Sequence, residues 1–372
     1  MFQNLKVLEL ASVLAGPSVG QFFAELGASV IKVENLTAGG DVTRSWKSRG
    51  EQTDDRSAYF CSVNWGKKSV AMDLNTLEGK SVVQKLAAAS DLVIASYKPG
   101  DAEKLGVSYN QLRTTNEKLI YGQITGYGSD TDRVGYDAVI QAESGFMDLN
   151  GEAEGDPTKM PVALIDVLAA HHLKEGLLLA LLKRERTGQG SFIEVSLIQA
   201  AVSSLVNQAS NWLVSKQLPS RQGSSHPNIA PYGDYFLTRD GKKILLAVGS
   251  DRQFLSLLKI LKLEAHPEFA TNALRVVNRT KLNVLLTSAI VEVDSVTLLN
   301  HIHKHKIPGG LIQNIKEVFE GKEMQEILVN ASGLTGVRSY VAHGIETSPS
   351  LLPPPHFGEH TNEIMRTLNL SV

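Results

Sequence analysis

The sequence predicts an α/β protein in which a large domain built on an open, doubly wound parallel sheet is joined to a smaller α+β domain. Three observations predict it. Residues 5 to 34 run strand, helix, strand, a βαβ unit that implies a parallel sheet covered on both faces. The same alternation repeats as far as about residue 126. Beyond a polar stretch near residue 216 the texture changes to a hairpin followed by helices. A chain of 372 residues also exceeds the size at which one core usually suffices.

Taken in order, "LKVLELA" at the start is rich in β-formers. In "AGPSVGQFFAELG", Pro17 suits a first helical position and Gly27 a C-terminal cap. "ASVIKVE" reads as the second strand. Then come "KSVAMDL" (strand), "TLEGKSVVQKLAAAS" (helix), "DLVIASY" (strand), "SYNQLRTTN" (short helix) and "KLIYGQITG" (strand). A long, mostly apolar helix is expected from Pro161 to Arg186, with basic residues in its last turns and Gly188 as its stop. "SFIEVSL" and another long helix through Leu213 follow. "KQLPSRQGSSHPN" reads as a linker. "YGDYFLTRDGKKILLAVG" is a hairpin turning at Asp240 and Gly241, and "DRQFLSLLKIL" and "RTKLNVLLTSAIVEV" are helices. The chain then returns with a strand, "VRSYVAH", and a short terminal helix.

The charge balance, 37 basic against 39 acidic residues, does not favour nucleic acid or an anionic membrane as a bulk partner. No stretch approaches the apolar length of a membrane span, and the N-terminus lacks a secretory signal pattern. Cys61 stands alone, so no intrachain disulfide forms and a reducing cytoplasm is the expected compartment.

Two motifs invite function and fail on spacing. A dinucleotide site needs G-x-G-x-x-G, whereas the first turn reads "LAGPSVG", with Gly16 and Gly20 separated by a proline. That helix N-terminus can still receive an anion. "HIHKH" places His301, His303 and His305 two apart on a polar helix, where side chains diverge, so no metal site is expected. The residue that demands a reason is Asp166, in "PVALIDVLAAHH". A carboxylate among aliphatic neighbours is costly unless paired, capped or kept for chemistry. It is either an N-cap for a helix beginning at Val167 or a reactive group. A capping box would want Glu or Gln where Ala169 stands.

In "LELASVLAGPSVGQFFAELGASVIKVE", "GGDVTRSW", "NWGKKSVAMDLNTLEGK", "SYKPGDAEKLGVSY", "ITGYGSDTDRVGYDAVIQAESGFM", "HPNIAPYGDYFLTRDG", "IPGG" and "FGEHTNEIM", the chain resembles the class III CoA-transferases, the CaiB/BaiF-like family that includes formyl-CoA transferases. Order and spacing over nearly the whole length carry the resemblance, since no single piece is diagnostic. It implies a Rossmann-like large domain over 1–215 completed by about 326–372, a small domain over 216–325, and two protomers threaded as interlocked rings. It also implies coenzyme A and acyl-CoA as substrates, with no tightly bound cofactor and no metal.

Asp166 falls where the family carries its catalytic aspartate. A free aspartate is mostly ionised at neutral pH, and as a nucleophile it divides thioester exchange into two easier acyl transfers. The resemblance places Leu14, Ala15, Tyr136, Asp137, Gln141 and Gly249 along the substrate. It places Gly16, Asn35, Arg44, Met72, Asn75, Ser96, Tyr97, Lys98, Lys104, Leu105 and Arg133 along the coenzyme. Asn35, Asn75 and Ser96 depart from residues common in relatives, and Lys98, Lys104 or Arg44 is expected to compensate toward phosphate. Leu14 replaces the glutamine of relatives acting on formyl- and oxalyl-CoA, and the glycine run of their small-domain loop is missing near Gly249. An acid less polar than oxalate is therefore expected. The rival on the same fold, an α-methylacyl-CoA racemase, needs a histidine where Tyr136 stands, and a phenol titrating near pH 10 is a poor base. A non-catalytic CoA-binding protein is the rival of another class.

Overall fold

The computed structural model describes residues 1–368, which divide into two compact units. The first comprises Met1–Phe146, Lys159–Ser215 and the chain from Glu326 onward, and the second Met147–Thr158 and Lys216–Gln325.

The chain forms β1 (Lys6–Leu10), α1 (Ala15–Glu25), β2 (Ser29–Asn35), α2 (Ala58–Cys61), β3 (Lys67–Met72), α3 (Leu77–Ala88), β4 (Leu92–Ala95), α4 (Asp101–Leu105), α5 (Tyr109–Leu112) and β5 (Ile120–Thr125). It continues through α6 (Asp137–Glu143), α7 (Phe146–Leu149), α8 (Leu164–Thr187), β6 (Ser191–Ser196), α9 (Leu197–Ser203) and α10 (Val206–Leu213). All strands of the six-stranded sheet pair in parallel, in the order β3-β2-β1-β4-β5-β6. This is the doubly wound order, and its direction reverses between β1 and β4. Successive residues feed opposite cores: Val7 and Leu92 pack with Phe23 and Leu173, while Leu8 and Val93 pack with Val83 and Met365. That double burial is why the strands read as almost continuous apolar runs.

The glycines of the first turn owe their place to close packing. A Cβ on Gly16 would come within 2.3 Å of the Ala11 methyl, and one on Gly20 within 1.8 Å of the Glu9 carboxylate. Helix α1 therefore lies close against the end of β1, its glycines leaving room for the Ala11 methyl and the Glu9 carboxylate.

In the second unit β7 (Tyr232–Leu237), β8 (Lys243–Ala247) and β9 (Gly309–Leu311) form an antiparallel sheet. Helices α11 (Asp251–Ile260), α12 (Asn272–Val277), α13 (Arg279–Ile290) and α14 (Ser295–Lys304) build its core around Phe254, Leu282 and Leu298, and α15 (Ile315–Glu320) follows. Gly241 takes φ +76° in the hairpin turn, a conformation glycine adopts without steric cost. The first unit resumes with the hairpin β10 (Leu328–Ala331) and β11 (Leu334–Val337), then α16 (Thr361–Thr367). Among the described residues no single helix is long and apolar enough to cross a membrane.

Three expectations change. The long helix begins at Leu164, not Pro161, because Asp137 Oδ1 accepts the Ile165 N–H at 2.8 Å and anchors the first turn from outside. The helix expected through Leu213 is two helices. The Ser203 and Ser204 hydroxyls both bond to the Ala200 carbonyl, 3.0 and 2.8 Å, where α9 ends. "VRSYVAH" leaves the strand after Val337, since the Ser339 and Tyr340 N–H groups are both taken by the Glu25 carboxylate.

Candidate active site

In doubly wound sheets ligands bind outside the carboxyl ends of the strands, where the strand order reverses. Here a cavity of ≈ 190 Å³ occupies that position. Its walls are the turn Ser12–Gly16 after β1, Ser96–Pro99 after β4, Ile124–Gly126 at the end of β5, Arg133–Asp137 leading into α6, and Asp166 in the first turn of α8. The cavity thus gathers Leu14, Ala15, Gly16, Ser96, Tyr97, Lys98, Arg133, Tyr136, Asp137 and Asp166 from four separate stretches of sequence.

Asp166 is the third residue of α8, and Ala163 occupies the N-cap position. The capping role considered from sequence is therefore absent, and Asp137 satisfies the neighbouring amide instead. Asp166 is 8% exposed, and among the described residues no hydrogen bond to its carboxylate is formed. Burial, reinforced by the nearby Asp137 carboxylate, pushes its pKa up to about 7. The sequence expectation of a mostly ionised aspartate is thus corrected: near neutrality the group is divided between acid and carboxylate.

Asp137 is set by two hydrogen bonds, from Ile165 N and from Gln141 Nε2 at 2.7 Å. Gln141 is 1% exposed and stands behind the cavity wall, accepting the Met160 N–H at 2.8 Å as well. It supports the site without lining it. Tyr136 lines the cavity and is 61% exposed. The tip of α1 has no side-chain cap, and Pro17 carries no N–H, so the free amides there belong to Leu14, Ala15 and Gly16. These amides at the positive end of an 11-residue helix make an anion-favouring wall beside Asp166.

A family model described as CoA-transferase family III matches residues 2–361. The chain belongs to that family. A succinate–glutarate CoA-transferase of Agrobacterium fabrum is 36% identical to this transferase across 98% of the chain and 95% of its own length. A succinyl-CoA:glutarate CoA-transferase of Mus musculus is 35% identical, covering 98% and 85%. Among solved structures, a CaiB/BaiF family protein from Brucella suis superposes with a TM-score of 0.86 at 36% identity, covering 98% of each chain.

The remaining residues expected along the coenzyme lie outside this cavity of the transferase. Arg44 is 6% exposed and fully engaged: it bonds both Glu34 oxygens at 2.8 and 2.7 Å and the Pro355 carbonyl at 3.1 Å, and stacks over Phe60. Asn35 accepts from Thr37, Asn75 donates to Asp73, and Met72 and Leu105 pack against the second core face. Lys104 is exposed and pairs with Asp101 at 3.0 Å, whereas Lys98 is exposed at the cavity rim. Arg133 ion-pairs with Glu143 and lies over the Tyr127 ring. Gly249 lies in the second unit, its N–H donating to Gln253 Oε1. Asp54, Asp55 and His356 bring three potential metal ligands together on the surface, but Arg56 and Arg44 already engage the two carboxylates.

Sequence reasoning missed Tyr59 and Asp41. Burial raises the pKa of Tyr59, with further contributions from the charges of Asp166, Asp137 and Asp41, so its phenol shares the electrostatic field of the site. Trp46 packs edge-on against it at 5.2 Å. No local period marks either residue; "GGDVTR" and "SAYF" are loop sequence until the chain folds.

Proposed function

We propose that this transferase moves coenzyme A between short dicarboxylic acids, with Asp166 as the covalent nucleophile, acting as a cytoplasmic homodimer of interlocked protomers. The observation that carries the reading is a buried carboxylate with neither cation nor donor bonded to it among the described residues, opening into the cavity at the strand-order reversal. The charged form of such a group is poorly solvated, and acylation converts it to a neutral ester-like species.

The steps balance without an external reductant, oxidant or proton. A carboxylate oxygen of Asp166 attacks the thioester carbonyl of the donor, the C–S bond breaks, and CoA thiolate leaves an acyl-aspartyl anhydride. The thiolate attacks the aspartyl carbonyl, the anhydride C–O bond breaks, and the donor acid departs from an aspartyl-CoA thioester. An acceptor carboxylate attacks that thioester, and the released thiolate then takes the acceptor acyl group, regenerating Asp166. The thioester free energy is carried throughout. In this reading the amides at the tip of α1 stabilise the oxyanions of these additions.

Succinate and glutarate, the acids named in two relatives, support this choice of substrates. Succinyl-CoA and glutarate are therefore the first pair to assay, following glutaryl-CoA by mass spectrometry. Hydroxylamine or borohydride added during turnover should mark the peptide containing Asp166. Turnover without a mark on that residue would overturn the mechanism, and deuterium entering the α-carbon without CoA exchange would favour an isomerase.

A further inference from the structure

Val13 has the least comfortable backbone around the cavity. Its φ is +71°, a left-handed conformation that a β-branched side chain resists. It immediately precedes the amides of Leu14, Ala15 and Gly16, so its conformation sets where they stand. A strained residue persists only where its surroundings over-determine it.

Those surroundings are a buried charge network. The Val13 N–H is shared between the two carboxylate oxygens of Asp41, each at 3.3 Å, while the Ser12 N–H donates to Ser96 Oγ at 3.2 Å. Asp41 is itself fixed: Lys32 Nζ lies 2.9 Å from Oδ2, and Thr43 donates to Oδ1 through its amide and hydroxyl. Lys32, 1% exposed, also reaches the Ala11 carbonyl at 2.7 Å and Glu9 at 3.0 Å. Glu9 in turn holds Lys67 at 2.8 Å, and Lys67 reaches the Pro17 carbonyl at 2.9 Å. The network therefore grips the turn at Ala11 before it, at Val13 within it and at Pro17 after it.

We propose that Asp41 is a positioning residue that holds Val13 in the left-handed conformation and thereby fixes the α1 amides that receive the substrate's developing oxyanion. The proposal rests on reading the cavity as the acyl-CoA site. It accounts for a valine where glycine would adopt the same φ without cost, because the clamp supplies what the residue does not.

The test compares wild type, D41N, D41A and D41A/V13G in three measurements: hydrogen exchange over residues 11–18, CoA affinity by calorimetry, and kcat and KM for transfer from succinyl-CoA to glutarate. D41A should exchange faster in that segment and lose about five- to thirty-fold in kcat, the population cost of an unsupported left-handed valine. CoA affinity should fall less, since oxyanion contacts tighten in the transition state. D41N keeps one acceptor oxygen and should lie between. V13G should restore most of the kcat lost in D41A, because glycine enters this region freely. If D41A does not fold, D41N and D41N/V13G carry the same comparison. Unchanged exchange on loss of Asp41, or a kcat deficit that V13G leaves intact, would overturn the clamp. Wild type without transfer would instead sink the reading of the cavity, and the exchange data would still decide the role of Asp41.

Discussion

Two of the places where the first unit buries carboxylates treat them in opposite ways. Beneath the β1 turn, Glu9 and Asp41 face Lys32 and Lys67, so acidic and basic charges match and nearly every oxygen is occupied. At the head of α8, Asp166 is buried to a similar degree, but among the described residues its side chain forms no ion pair or hydrogen bond and has another carboxylate, Asp137, nearby. The chemical outcomes diverge accordingly. Burial works against the Asp41 anion, yet Lys32 and Thr43 outweigh it and hold its pKa below the usual range. With no such partner, burial drives Asp166 the other way, to about 7. A buried charge that is answered becomes architecture, whereas one left unanswered gains from any event that neutralises it, whether protonation or acylation.

The contrast can be broken at either end. Replacing Asp166 with alanine should reduce transfer by about four orders of magnitude or more, as loss of a covalent nucleophile does, while circular dichroism stays unchanged. Retained turnover would mean that the bare carboxylate is not the reactive one. Glu9→Gln removes an anion from the matched network and leaves a lysine unanswered. Urea unfolding should show a loss of about 3–5 kcal/mol, and a neutral result would show that the pairing contributes little.

Asp166→Asn sharpens the comparison through stability. The folded-state pKa of Asp166 lies above its unfolded value of 3.8, so folding binds a proton more tightly. Its contribution is harmless below about pH 4, erodes stability as pH rises toward 7, and remains as a full cost above it. At pH 8 the asparagine variant should therefore be more stable than wild type by up to about 4 kcal/mol, with the gap closing by pH 4. The smallest effect concerns Asp137. The kcat/KM profile should rise through about pH 7 as Asp166 ionises. In Asp137→Asn the midpoint should move down while the hydrogen bond to Ile165 is preserved. An unmoved midpoint would assign the shift to burial alone.

Much of the sheet was legible because its strands carry apolar runs and helices such as α3 and α8 carry a cap or a glycine stop. Asp166 was legible for a related reason: a charged residue interrupting an apolar period is a local anomaly. Its altered acidity was not, since that depends on Asp137 arriving beside it from a separate helix. The same limit hid the network under the turn. Lys32 and Lys67 reach Glu9 across 23 and 58 residues, and in "VLEL" the glutamate looks like any solvent-facing position. Arg44 was expected toward a phosphate because the family resemblance places its segment along the coenzyme. Its anion is Glu34, ten residues earlier on a neighbouring strand, a pairing that only the tertiary fold creates.

The closing helix α16 has a consequence for biosynthesis. Thr361 Oγ1 accepts the Ala71 N–H across 290 residues, and Ile364 and Met365 complete the apolar layer beside Val70 and Val83. A nascent chain on the ribosome must therefore carry the patch of that layer beside β3 without Ile364 and Met365 while the whole second unit is translated. During that interval the uncovered patch is a natural client for chaperones, and premature termination before α16 would release a polypeptide with Val70 beside open solvent while α3 still covers the rest of the face.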